Sequence, residues 1–186
     1  MQTVADDVLI AKIAKGDQRA MAALFVRHRV PVYRFILRMV RNEATAEEVH
    51  GDVFLDVWRN AARFEGRSAV STWIFSIARY KALSALQRRR EEELDEDKTL
   101  VVADEADDPE VVLAKKDKTA ALRHCLQNLS ADHREIINLV YYQHKSIQEV
   151  AEIIGIPEGT VKTRMFYARK KLSELLRQQG IDRGWP

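Results

Sequence analysis

The chain has 186 residues, 46% hydrophobic and 31% charged, a balance that fits one ordinary or two small helical domains and excludes global disorder. Its single cysteine, Cys125, excludes an internal disulfide, and no cluster has zinc-ligand spacing, so a cytoplasmic chain without metal or cofactor is expected. No stretch approaches the ~18 consecutive apolar residues of a membrane span. Met1 to Leu9, with Asp6 and Asp7, does not read as a signal peptide, so no membrane contact of its own is expected.

In chain order, Leu9, Ile10, Ile13 and Ala14 fall at helical spacing before Gly16 interrupts the run. Asp17 is placed to cap a longer helix with Met21, Leu24, Phe25 and His28 on one stripe. Pro31 is expected to kink or break that helix, because its ring removes a backbone donor and crowds the preceding turn. The apolar run resumes with Val32, Phe35, Ile36 and Met39. Thr45 and Glu48 have capping-box spacing and predict the start of a helix bearing Val49, Val53, Phe54, Val57 and Trp58. After a break around Phe64 to Gly66, a helix is predicted from about Ser71 to Arg90, with Trp73, Ile74, Ile77, Ala78 and Leu86 on its apolar face.

Charge divides the chain more sharply than its net +2 suggests. Residues 1–90 hold 16 Lys and Arg against 9 Asp and Glu, a balance of +7; residues 91–118 hold 4 against 12; residues 119–186 hold 10 against 7. Two basic segments flanking an acidic one suit two nucleic-acid-binding domains, 1–90 and 119–186, joined by a solvated linker over 91–118. The same pattern would also arise from helix faces that are merely kept wet. In the second domain Leu122, Leu126 and Leu129 form a stripe, and Ser130 can cap a helix with Ile136, Ile137, Leu139 and Val140. Ser146 and Glu149 form a second capping box.

The stretch from Ser146 to Leu172 is the most informative. A helix-turn-helix needs a small residue where its helices cross, a Gly to turn the chain and a β-branched residue to seat the second helix. Ala151, Gly155 and Val161 stand at those offsets, with Val150, Ile154 and Ile156 as shared core. Gly155 suits the positive φ of a tight helix C-terminus, and Pro157 suits the first turn of the next helix. That helix exposes Lys162, Thr163, Arg164, Tyr167, Arg169, Lys170 and Lys171, cations and hydroxyls suited to a major groove and its phosphates. A plain helical hairpin with a basic face is the alternative.

The run from Ser146 to Leu172 resembles the promoter-reading region 4 of extracytoplasmic-function sigma factors of bacterial RNA polymerase, and Leu129-Ser-Ala-Asp-His-Arg-Glu135 resembles the segment that opens it. A helix-turn-helix alone would fit many regulators. The first ninety residues separate these readings, because Gly16-Asp17 with Ala20 and Leu24, Ala46-Glu47-Glu48, Val53-Phe54, Trp58, and Trp73-Ile74 with Ile77-Ala78-Arg79 resemble sigma region 2 in order and spacing. His50 and Gly51 depart from that pattern, which usually has an apolar residue and Gln there. Tyr80 and Ser84 replace a frequent Asn and Asp.

The resemblance implies an all-α fold of two small helical domains, a region 2-like bundle and a region 4-like helix-turn-helix. It implies three contact sets. Glu47, Asp52, Phe54 and Asp56 would dock on the coiled coil of the polymerase beta-prime subunit, the carboxylates beside an exposed aromatic. Arg63, Phe64, Arg67, Ser71, Thr72, Arg79, Tyr80 and Arg88 would meet the minus-ten element, where cations hold melted backbone and aromatic faces take unstacked bases. Thr160, Lys162, Thr163, Arg164, Tyr167, Arg169 and Lys170 would meet the minus-thirty-five element. Trp73, on the apolar stripe with Ile77, is expected in the core rather than as a stacking platform. An anti-sigma protein is a further expected partner. His28, His50, His124, His133 and His144 show no convergent nucleophile or carboxylate pattern, and no Gly-rich phosphate loop is present, so no catalytic activity is expected. The competing function is a stand-alone helix-turn-helix regulator.

Overall fold

The computed structural model describes residues 4–95 and 121–180. Every regular element among them is helical. The chain separates into two compact units, one built around its first four helices and one that holds most of the rest of the chain. Most of the acidic segment expected as a linker, residues 96–120, lies outside the described residues.

In the N-terminal unit, α1 (Asp6–Ile13) buries Leu9, Ile10 and Ile13, and Gly16 then turns the chain at φ 84°. The Asp17 carboxylate accepts from the backbone N–H groups of Arg19 and Ala20 and so caps α2 (Gln18–Val40) as predicted. Of the kink or break expected at Pro31, the break does not occur: α2 runs through it. A proline inside a helix costs about 3 kcal/mol. Here that cost is offset by packing, since Leu24, Val32, Phe35 and Ile36 have no exposed surface on either side of it. The next helix, α3 (Glu43–Asn60), starts earlier than the Thr45 capping box predicts. Asn42 is the cap, its side-chain oxygen accepting from both the backbone N–H and the hydroxyl of Thr45 at 2.8 and 2.9 Å. Thr45 is therefore held by the cap. A short 3₁₀ turn, Ala61–Arg63, leads to α4 (Val70–Asp95), which continues past Arg90 into the acidic segment. Helices α2, α3 and α4 pack mutually around Phe35, Ile36, Val53, Val57, Ile74 and Ala78, while α1 lies against α2.

In the C-terminal unit, helix α5 is described over 121–127 and buries Cys125. Burial pushes the Cys125 thiol above its ordinary pKa, so it is a small core residue, as its neighbours Leu122 and Leu126 suggest. Ser130 caps α6 (Ala131–Ile137) by accepting from the His133 N–H, as expected. The regular helix predicted through Leu139 and Val140 instead widens into a π-helical turn over Asn138–Tyr142. Leu139 thereby reaches the core, and Asn138 is buried with its side-chain oxygen unpartnered. Then come α7 (Ile147–Ile154) and α8 (Glu158–Gln178), the latter packed on α6 through Val161, Met165, Ala168 and Leu172.

Candidate nucleic-acid and polymerase interfaces

Helix α8 is presented by a turn whose capping box and glycine follow from sequence. Both arms of the predicted capping box form: Ser146 N–H donates to the Glu149 carboxylate at 2.9 Å, and Glu149 N–H donates to the Ser146 hydroxyl at 3.2 Å. Glu149 also takes the ammonium of Lys145 at 2.8 Å, a buried cation that the sequence pattern did not flag. At the other end of α7, Gly155 adopts φ 76° and Ile156 N–H reaches back to the Ala151 carbonyl at 3.2 Å, closing the helix as a Schellman turn. Pro157 stands one position earlier than expected, as the residue before α8.

Along α8 the buried side is Val161, Met165, Ala168, Leu172 and Leu176. The opposite side exposes Lys162, Thr163, Tyr167, Arg169 and Lys170, and Thr160 is half-buried beside them. The Thr163 hydroxyl donates to the Gly159 carbonyl at 3.0 Å, leaving its oxygen as an acceptor. Arg164 departs from the expected set. It sits on the flank of α8, half-buried, with its guanidinium 3.0 Å from the Asp132 carboxylate on α6. Phe166, not predicted, is 59% exposed and lies one turn from both Lys162 and Lys170. Its signal was available, since i and i+4 positions share a helix face and its neighbours there are all polar.

In the N-terminal unit the expected polymerase-docking set divides. Glu47 and Asp52 are exposed on α3 and Asp56 is half-buried. Phe54 is not the exposed aromatic the sequence reading required: it is 5% exposed, with its ring against Phe25 at 4.8 Å and His50 at 5.1 Å. Helix α3 turns Phe54 onto the same side as Val53 and Val57, so this face belongs to the core. His50 donates its Nε2–H toward the Arg29 carbonyl at 3.0 Å, and burial, outweighing that bond, lowers its pKa below the ordinary histidine value. Gly51 is exposed in mid-helix with open space around it.

The expected minus-ten set also divides. Arg63, Arg67, Tyr80 and Arg88 are exposed, and Tyr80 at 71% is the most exposed large aromatic among the described residues. Phe64, Ser71 and Arg79 are half-buried. Thr72 is 1% exposed, so its hydroxyl is withdrawn from any DNA surface: it falls on the α4 stripe that also buries Phe75. Trp73 is neither fully core nor a free platform; it is half-buried with its ring 5.2 Å from Phe64. Carboxylates hold several of the cations. Arg67 pairs with Glu65, Arg88 with Glu48 across to α3 at 3.2 Å, and Lys81 with Asp56 at 2.9 Å and more distantly with Asp52. Near the N-terminus Asp6 holds both Arg27 and buried His28, an anchor that the sequence reading missed because its partners lie more than twenty residues away.

Two families match these units. Sigma-70 region 2 matches residues 24–92 and Sigma-70 region 4 matches residues 119–172. The RNA polymerase sigma factor CarQ of Myxococcus xanthus is 34% identical over 90% of this chain and 95% of its own. The chain belongs to the ECF sigma factor family of bacterial RNA polymerase. The ECF RNA polymerase sigma factor SigK of a Mycobacterium species is 30% identical over 86% of this chain and 84% of its own. Among solved structures, the sigma factor RpoE in complex with the anti-sigma factor NepR from Bartonella quintana is 28% identical, with a TM-score of 0.73 over 86% of this chain and 96% of that one. Sigma factors are specificity subunits, not known as enzymes, and they direct the polymerase to promoters. No described helix of this chain is long and apolar enough to cross a membrane.

Proposed function

We propose that this sigma factor works in the cytoplasm through residues 1–90 as the domain that meets core polymerase and the minus-ten element, and through residues 119–186 as the domain that reads the minus-thirty-five element, with 91–118 as linker. The observation that carries this reading is the exposed side of α8, where Lys162, Thr163, Phe166, Tyr167, Arg169 and Lys170 follow a turn fixed by Gly155. Cations and hydroxyls so presented suit a major groove, and an exposed aromatic suits a thymine methyl. In the N-terminal unit, exposed Arg63, Arg67, Tyr80 and Arg88 supply backbone cations and one open aromatic face for melted DNA. Glu47, Asp52 and Asp56 supply carboxylates for an arginine-rich partner helix such as the beta-prime coiled coil, and Phe54 supports them from the core instead of touching the partner. An anti-sigma protein is the proposed regulatory partner, supported by the Bartonella relative's complex with NepR.

Run-off transcription with core polymerase and a pool of genomic promoter fragments tests the reading. Discrete transcripts that need both this protein and core enzyme are expected. Tight duplex binding without polymerase, and no polymerase-dependent transcript, would instead indicate a stand-alone regulator.

A further inference from the structure

Helices α3 and α4 face each other across a seam of opposite charge. Glu48, Asp52 and Asp56, spaced four residues apart, form a row along α3. Lys81 and Arg88, two turns apart, form the facing row on α4. The rows run antiparallel: Arg88 meets Glu48 at 3.2 Å, and Lys81 meets Asp56 at 2.9 Å and Asp52 at 3.9 Å. The same cations border the exposed arc of α4, since Tyr80 and Ser84, both exposed, lie about 100° and about 60° round the helix from Lys81. The seam therefore joins two surfaces that the proposed function gives to different partners. Its carboxylates belong to the polymerase face, and its cations lie at the edge of the minus-ten face.

We propose that an arginine-rich partner helix docking on α3 takes over these carboxylates and releases Lys81 and Arg88 to the DNA backbone, so that the seam couples polymerase binding to minus-ten binding. The inference rests on the proposed reading of α3 and α4, and adds to it one residue, Lys81, and a route between the two surfaces. The chemistry of the groups favours the exchange. An arginine guanidinium forks onto a carboxylate through two parallel N–H donors, whereas the Lys81 ammonium makes a point contact. Asp52 is the first carboxylate a partner meets, being 57% exposed and only distantly held, and Asp56 stands one turn behind it. Pairs as exposed as Arg88 with Glu48 are weak, so they open readily, yet while closed they set a carboxylate where a phosphate would have to lie. By reciprocity, DNA on α4 strengthens docking on α3 by the same factor.

The test uses the full chain, free and in holoenzyme at saturating core enzyme, with a labelled single strand carrying the minus-ten element of a promoter found by run-off transcription. Affinity is read by anisotropy at low salt. In the free chain, Glu48→Gln combined with Asp56→Asn should tighten binding about three- to tenfold, and adding Lys81→Ala and Arg88→Ala should abolish that gain. In holoenzyme the same neutralisations should change affinity less than about twofold, because the partner already holds those carboxylates. Glu47→Gln is the control: it removes an exposed α3 carboxylate that is not in the seam, and its effect should stay under about twofold. Both seam replacements keep the size of side chains that are 60% and 34% exposed, so folding is not at stake. No gain in the free chain overturns the proposal. So does an equal gain in holoenzyme, or from Glu47→Gln, either of which marks a general effect of charge. Asp52→Lys reads the α3 assignment separately. Unchanged core affinity in that variant means that α3 does not dock polymerase, and the proposal falls with that reading. Weakened core affinity with no gain from the neutralised seam removes the exchange alone.

Discussion

The two units offer their cations to DNA in different ways. On α4 Arg88 pairs with Glu48 of α3 and more distantly with Glu92 of its own helix, and Lys81 reaches Asp56 on α3. On α8 Lys162 pairs with Glu158 and Lys171 with Glu174 within the helix, and Arg164 reaches across to Asp132. A helix whose charges are spent on its neighbours is positioned by its own domain. A helix whose charges project outward is positioned by its turn and is ready to meet phosphates. On the proposed reading, α8 would meet DNA with a surface set by its own turn, and the α4 surface would depend on its ion pairs to α3.

The largest effect expected is on Phe54. As a core residue, Phe54→Ala should cost about 3–5 kcal/mol by urea unfolding of the full chain. A loss under about 0.5 kcal/mol would return Phe54 to the surface role the sequence suggested. In the other unit, Lys145→Ala leaves Glu149 without its buried cation and should cost about 3 kcal/mol. Gly155→Ala has room for its methyl but not a suitable φ, and should cost about 1–2 kcal/mol together with measurable loss of minus-thirty-five affinity.

A pH effect separates the units further. His50 has a folded pKa below its unfolded value of about 6.5, so the unfolded chain binds the extra proton and its contribution to stability is lost as pH falls below that value. His50→Phe should therefore flatten the acid side of the wild-type stability profile measured by thermal unfolding between pH 7 and 5. An identical slope in both proteins would contradict the burial argument. The smallest effect belongs to the exposed pair Arg88–Glu48. Charge reversal at Glu48 should change stability by no more than about 1 kcal/mol, and a larger change would mean that the pair is a structural tie.

Legibility in the sequence followed how local each cause was. Asp17, Ser130, the Ser146–Glu149 box and Gly155 act within a few residues of themselves, and each stands as read. Asn42 was legible by the same chemistry, but the Thr45–Glu48 spacing competed with it; the nearer oxygen took both donors of Thr45. Pro31 does not end α2, because its local cost is outweighed by core contacts that only the folded bundle supplies. The exposure of Phe54 and Thr72 could not be read from a motif, since both lie one helical position from the border between core and surface. The ion pair of Arg164 with Asp132, thirty-two residues away in sequence, is of the non-local kind that no motif shows.

On the proposed function, α4 and α8 read two separate promoter elements once polymerase is present. Run-off transcription by holoenzymes carrying Thr163→Ala or Tyr80→Ala, on templates altered in the minus-thirty-five or the minus-ten element, tests it directly. Thr163→Ala should lose most of its activity on the intact promoter and become insensitive to changes in the minus-thirty-five element, while keeping its sensitivity to the minus-ten element. Tyr80→Ala should show the reverse. If either variant loses sensitivity to both elements alike, or to the element assigned to the other helix, the division of labour between α4 and α8 is wrong.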